Sequence, residues 1–201
     1  MNKKKLSFLV ASLAFIMLFS NPLSAQEKPI TYGIKGGLNL STFGGDLKDT
    51  KSVLRYQFGI TADIALMDNL FILTGLDFQT KGVKYNSKSS PNVKYNPMYL
   101  QLPVNIGYKF DLGSNIKLVV NAGPYAAYGI GGKAKTDGMK QSVFGKNSLK
   151  RLDYGLNGGA GVEIGKISIS GGYEFGLANI SNVGGTKLRN RNPYVTVGVK
   201  F

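Results

Sequence analysis

Asp63, Asp77, Glu163 and Glu174 are carboxylates that fall on one polar face if their segments are extended. Two carboxylates held close together can act as general acid and base at a glycosidic bond. Lys35, Arg55, Lys109 and Asp153 fall on the same face. A carboxylate beside a cation is held ionised rather than poised to release or accept a proton. The set therefore reads as a network of ion pairs, not as a catalytic pair. Composition removes most other chemistry. The 201 residues include no His, no Cys and no Trp, which excludes His-dependent nucleophiles, thiol catalysis, disulfides and Cys- or His-ligated metals. The Gly-Gly pairs at 36–37, 131–132, 158–159 and 171–172 are followed by neither Lys-Ser/Thr nor a helix start, so they are not phosphate loops. No spacing suits a metal. The expectation is a non-enzymatic chain without a cofactor.

What would position these residues is a sheet. Period-two alternation recurs past Ala25 and no helical period stands out. Eight segments show it. Their apolar faces are Ile30 to Leu40, Leu54 to Leu66, Leu70 to Phe78, Met98 to Phe110, Ile116 to Tyr128, Leu152 to Ile164, Ile167 to Leu177 and Val195 to Phe201, each taken at every second residue. Phe71 and Leu73 break the third. Strands of roughly 8 to 14 residues are long enough to cross a bilayer at a tilt. The connections alternate in length. Met67 to Asn69, Asp111 to Asn115 and Gly165-Lys166 are short, whereas Thr42 to Ser52, Gly82 to Asn96, Gly131 to Arg151 and Asn179 to Pro193 are long. Short turns at one end and long loops at the other describe an all-β, closed, eight-stranded antiparallel up-and-down transmembrane barrel with both termini at the short-turn end. Gly165-Lys166 between Ile164 and Ile167 suits a type II′ hairpin.

Alternation leaves open which face is outside: a soluble ligand-binding barrel turns its apolar face inward, a membrane barrel outward. The polar face is mostly Gly, Ser, Thr, Asn and Ala with a few charges of both signs. That is a poor water-facing surface but fits a narrow bore. Tyr32, Tyr56, Phe78, Tyr108, Phe110, Tyr128 and Tyr154 lie near the ends of the apolar faces, as an interfacial girdle does. Outward is the expectation. Lys35, Arg55, Asp63, Asp77, Lys109, Asp153, Glu163 and Glu174, with Lys117 and Lys200, then meet inside the bore. Pro103 and Pro124 fall inside two strands, where a closed barrel has no edge to receive them. Pairing Phe110 with Ile116 sets Pro103 opposite Gly123 and Pro124 opposite Leu102, and predicts a bulge or missing rungs there.

The N-terminus has the pattern of an export signal: Lys3 to Lys5, an apolar run from Leu6 to Phe19, and Leu23-Ser24-Ala25 before Gln26. The domain expectation is a signal peptide at 1–25 and a barrel at 26–201. Loss of 1–25 removes three of the 25 basic residues and none of the 11 acids, leaving net +11. That charge falls in the long loops, on Lys48, Lys51, Lys84, Lys88, Lys94, Lys133, Lys135, Lys140, Lys146, Lys150, Arg151, Lys187, Arg189 and Arg191, against Asp46, Asp49 and Asp137. Such loops suit the phosphates and acidic sugars of lipopolysaccharide, or are simply solvated. Nucleic acid is not an expected partner of an exported chain. The expectation is a structural or interaction protein of the envelope. A narrow porin or transport and secretion accessory is one alternative, and a soluble periplasmic ligand-binding barrel is another.

Tyr99-Leu100-Gln101-Leu102-Pro103, Tyr108-Lys109-Phe110 and Asn121-Ala122-Gly123-Pro124-Tyr125 resemble the small outer-membrane beta-barrel family often labelled porin-like or PorT-like, and the barrel type of OmpA and OmpX. The terminal strand ending at Phe201 resembles the signal read by the barrel-assembly machinery. The resemblance spans about Gln26 to Phe201. It implies an eight-stranded barrel among outer-membrane lipids and lipopolysaccharide, with periplasmic termini, and no agreed activity.

Overall fold

The computed structural model describes residues 30–46, 50–85, 93–136, 139–146 and 148–201. The expected leader at 1–25 lies outside the described residues, as do Lys48, Asp49, Lys88 and Asp137. Among the described residues the strands are β1 (Ile30–Gly45), β2 (Thr50–Lys51), β3 (Val53–Ala65), β4 (Leu70–Thr80), β5 (Val83–Tyr85), β6 (Val93–Gly113), β7 (Ile116–Thr136), β8 (Met139–Ser142), β9 (Leu152–Ile164), β10 (Ile167–Gly176) and β11 (Leu188–Lys200). Eight of them form an antiparallel ring in the order β1, β3, β4, β6, β7, β9, β10, β11, and β11 pairs back onto β1. The expected closed barrel is present. β2, β5 and β8 are short additions at the long-loop end that pair outside this ring order with β5, β6 and β7.

Alternation puts the apolar side chains on the outside. Ile60 and Ile106 are 60% and 63% exposed, while Asp77 and Glu174 are 2% exposed. The wall is thus apolar outward and polar inward, which corrects the soluble-barrel alternative: water cannot be the solvent of a continuous band of exposed Leu, Ile, Val, Tyr and Phe. Outward aromatic residues collect near both ends, with Tyr32, Tyr108 and Phe110 toward the short turns and Tyr56, Tyr128, Tyr154 and Phe175 toward the long loops.

The turns explain the register. Ile164 pairs with Ile167 around Gly165, whose φ is 57°, in keeping with the II′ turn that the sequence suggests. The β6–β7 hairpin differs from expectation. Ser114 and Asn115 both have positive φ, 44° and 65°, as a two-residue I′ turn requires. A register shift between Asp111 and Gly113 leaves Leu112 bulged. Phe110 therefore meets Leu118, not Ile116, and Pro103 meets Tyr125, not Gly123. The missing rungs are nevertheless there. None joins Val104 and Asn105 to Pro124 and Gly123, and none joins Leu102 and Pro103 to Leu76 and Gly75 on β4. The Thr74 hydroxyl donates to the Pro103 carbonyl at 2.7 Å, supplying a donor at the interrupted ladder.

Several expected loops are strand. β6 and β7 are 21 residues each, well beyond a span of about 9–11 residues. Lys51, Lys84, Lys94, Lys133, Lys135 and Lys140 lie on strands, and Arg189 and Arg191 lie on β11. Extended pairing continues past the apolar band because β5 keeps the register of β4 against β6 across Lys81-Gly82.

A charge placed in the outward wall should be expelled by lipid. Ile60→Arg is expected to cost about 2–4 kcal/mol near the bilayer midplane. Urea unfolding from phospholipid vesicles measures it, and an unchanged midpoint would mean that Ile60 faces water.

Candidate functional site

The inward face is a filled bore arranged in layers. At the long-loop end an apolar plug closes it. Val143, Phe144 and Leu149 from the segment between β8 and β9 pack with Ala178 and Ile180 against Val83, Tyr99, Tyr125 and Ala127 of the wall. The ring of Phe144 meets Tyr99 edge-on at 5.6 Å. A Cβ at Gly129 would stand 2.2 Å from that ring, so the wall is glycine where the plug enters. Hydrogen bonds fasten the plug: Ser148 Oγ donates to the Val143 carbonyl at 2.8 Å, and the Lys150 amide donates to the Ile180 carbonyl at 2.8 Å.

Beneath the plug lies Lys81, with no exposed surface. Its Nζ is 3.0 Å from Glu174 Oε2, 3.4 Å from Asp153 Oδ2 and 3.0 Å from Gln101 Oε1. The ammonium also lies 4.8 Å from the Tyr125 ring centroid and 5.5 Å from that of Tyr99, within cation–π reach. Glu174 accepts further bonds from Gln79, Gln101 and Asn192 at 2.7, 2.6 and 3.0 Å. Asp153 accepts from Asn190 at 2.8 Å and from the Tyr125 hydroxyl at 3.3 Å. Lys35 joins Asp77 at 2.9 Å farther down. Next comes a cavity of about 120 Å³ lined by Lys35, Gln57, Asn105, Tyr194 and Thr196 among others. At the short-turn end Lys109 Nζ is 2.7 Å from Asp63 and 3.2 Å from Glu163, and Lys200 bonds to both carboxylates. Phe71 lies under Lys109, 4.3 Å from its Nζ, and Leu73 also faces the bore. The two residues that break the third alternation are thus lumen filling.

The structure brings together Lys35, Asp63, Asp77, Lys109, Asp153, Glu163 and Glu174 in the bore, with Lys200. Arg55 differs: it donates to the Lys81 carbonyl at 3.2 Å and to Asn96 Oδ1, not to a carboxylate. Lys117 differs too, pairing at 3.2 Å with Asp111 at an exposed rim. Lys81 is the residue that sequence reasoning missed. Its signal was the spacing Asp77, Gln79, Lys81, which continues the inward phase of β4 by one more step. Among the described residues each bore carboxylate, Asp63, Asp77, Asp153, Glu163 and Glu174, is in a salt bridge. The bases at the long-loop end fare differently. Arg151 donates to the Gly129 carbonyl at 2.6 Å, and Arg191 lies 3.6 Å over the Phe175 ring. Among the described residues Lys84, Lys94, Lys133, Lys135, Lys140, Lys146, Lys150, Arg151, Lys187, Arg189 and Arg191 form no salt bridge.

A cation removed from a dry site leaves its partners uncompensated. Lys81→Met is expected to destabilise the barrel by about 3–5 kcal/mol. Adding Glu174→Gln should recover part of that loss in a double-mutant cycle read by urea unfolding. Strictly additive losses would mean that the two groups do not interact.

Residues 20–182 match the family described as outer membrane protein beta-barrel domain. Among solved structures the chain is similar to Neisserial surface protein A, at 15% identity and a TM-score of 0.50, over 86% of this chain and 99% of that one. It is similar to OprG of Pseudomonas aeruginosa at 16% identity and a TM-score of 0.50, over 87% and 97%. The outer membrane enzyme PagL is similar at 14% identity and a TM-score of 0.49, over 83% and 98%. At such identities the likeness is one of fold alone. No curated protein matches the chain in sequence. The family match runs from ahead of β1 to beyond the end of β10, most of the chain, so the chain belongs to the outer membrane protein beta-barrel domain family.

Proposed function

We propose that this barrel is a non-enzymatic scaffold of the bacterial outer membrane. In this reading the short turns and both chain ends face the periplasm. The basic long-loop end faces outward toward lipopolysaccharide or a surface partner. The observation that carries the reading is the seal: an apolar plug sits directly on the Lys81–Asp153–Glu174 cluster, and below it the bore holds a cavity of only about 120 Å³. A bore of eight strands is only wide enough for side chains to fill it, so a sealed scaffold suits this geometry better than a narrow porin or a secretion accessory. Pairing of every bore carboxylate and the lack of His support the absence of catalysis.

Two further parts belong to the proposal. Export would remove residues 1–25, leaving Gln26 at the mature N-terminus. The barrel-assembly machinery would read β11, which ends beside the exposed Phe201. Phe201→Ala should then lower the assembled, heat-modifiable fraction in cells and leave refolding in detergent unchanged. Equal losses in both settings would make Phe201 a stability residue instead. For the seal, purified protein in a planar bilayer should give no conductance above the lipid baseline. Sustained unitary steps would overturn the scaffold reading in favour of the porin.

A further inference from the structure

Five strands carry a lysine at one register position beyond the apolar band. Lys51 pairs with Lys84, Lys84 with Lys94, Lys94 with Lys135, and Lys135 with Lys140. Directly opposed residues in antiparallel strands point to the same side. Adjacent strands are about 4.8 Å apart, so the five ammonium groups form a row of about 19 Å. The neighbouring register row settles which side that is. Val83, Tyr95 and Ala134 pair with one another and pack against the plug. Lys84, Lys94 and Lys135, one residue away on each strand, therefore point outward. Lys133 adds a sixth base on that side, two residues along β7 from Lys135.

Like charges set directly opposite destabilise a sheet, yet here four successive pairs are Lys–Lys with no carboxylate in the row. Such a row is at its lowest energy with anions along it. Its height says which anions. On β6 the row lies four residues from Met98, the first outward apolar residue of the lipid-facing wall, or about 13 Å along the strand. It faces sideways into the layer just beyond the acyl chains, not upward into solvent. We propose that the Lys51–Lys84–Lys94–Lys135–Lys140 row binds the phosphate groups of the glycolipids packed around the barrel. This rests on the reading that the long-loop end lies in the lipopolysaccharide leaflet. An ammonium binds phosphate as a point charge through charge-assisted hydrogen bonds, and a row this long spans more than one phosphate.

The test uses the full mature chain in phosphatidylcholine nanodiscs containing either diphosphorylated lipid A or dephosphorylated lipid A, with retained lipid counted by native mass spectrometry. Two variants remove equal charge: Lys84→Gln/Lys94→Gln/Lys135→Gln from the row, and Lys146→Gln/Lys150→Gln/Lys187→Gln from elsewhere at the same end. Heat-modifiable migration confirms that each is folded. The expected result is a loss of lipid A affinity of about tenfold or more for the row variant, with little change for the other variant and no retention of the dephosphorylated lipid. Equal losses in both variants would overturn the row as the site while leaving the outward basic end standing. No loss in either would overturn both. A second readout is stability. Relief of repulsion should raise the row variant's urea midpoint above wild type in pure phosphatidylcholine, and the order should reverse in lipid A. Failure to reverse would overturn the proposal.

Discussion

An unpaired backbone N–H or C=O in hydrocarbon costs several kcal/mol, and no water is present to relieve it. That cost forces β1 to find β11, because any open edge would leave a whole row of such groups in lipid. Closure at eight strands then sets a bore too narrow to stay empty. The wall around Pro103 and Pro124, where the ladder falters, shows the same rule at work: Thr74 turns its hydroxyl to the Pro103 carbonyl rather than leave it without a donor.

A narrow bore dictates its own contents. Charges inside it must be matched, and each of Asp63, Asp77, Asp153, Glu163 and Glu174 pairs with Lys35, Lys81, Lys109 or Lys200. Large side chains must be given room. Gly129 stands where the Phe144 ring enters, and Gly172 where a Cβ would lie 2.4 Å from the Tyr194 hydroxyl. With the interior neutralised, the excess of positive charge is left at one end, on strand extensions that rise past the apolar band. One wall thus separates three environments: lipid outside, paired ions inside, and a cationic rim at the end.

The barrel was readable because its signal is local. Period two needs only the residues of one strand, and Gly165-Lys166 announces its turn from two positions. Of the ten lumen residues chosen by phase, Lys35, Asp63, Asp77, Lys109, Asp153, Glu163, Glu174 and Lys200 engage ions in the bore, whereas Arg55 bonds to a carbonyl and to Asn96, and Lys117 pairs with Asp111 at the rim. What was not legible depended on register between strands. The bulge at Leu112 moves the β6–β7 pairing by two residues, and nothing in Asp111 to Asn115 specifies a bulge followed by a two-residue turn. Lys81 escaped notice because Gly82 marks the end of β4, and a lysine beside a terminal glycine reads as the start of a loop. The plug was hidden for a related reason. Val143, Phe144 and Leu149 alternate with nothing, and their burial exists only because the closed ring presents Val83, Tyr99 and Ala127 to them. The lysine row is the same kind of property, since five bases scattered from Lys51 to Lys140 become neighbours only through pairing.

Apolar side chains of this wall touch lipid tails while the polar ones face a closed bore. The chain contains no Trp, so single tryptophans are unambiguous reporters. Phe58→Trp and Val197→Trp would sit on the outward face, and Tyr194→Trp would line the cavity. In vesicles of phosphatidylcholine brominated on its acyl chains, emission from the two outward tryptophans should be strongly quenched and that from position 194 should not. Quenching at 194 with bright emission at 58 and 197 would contradict the account.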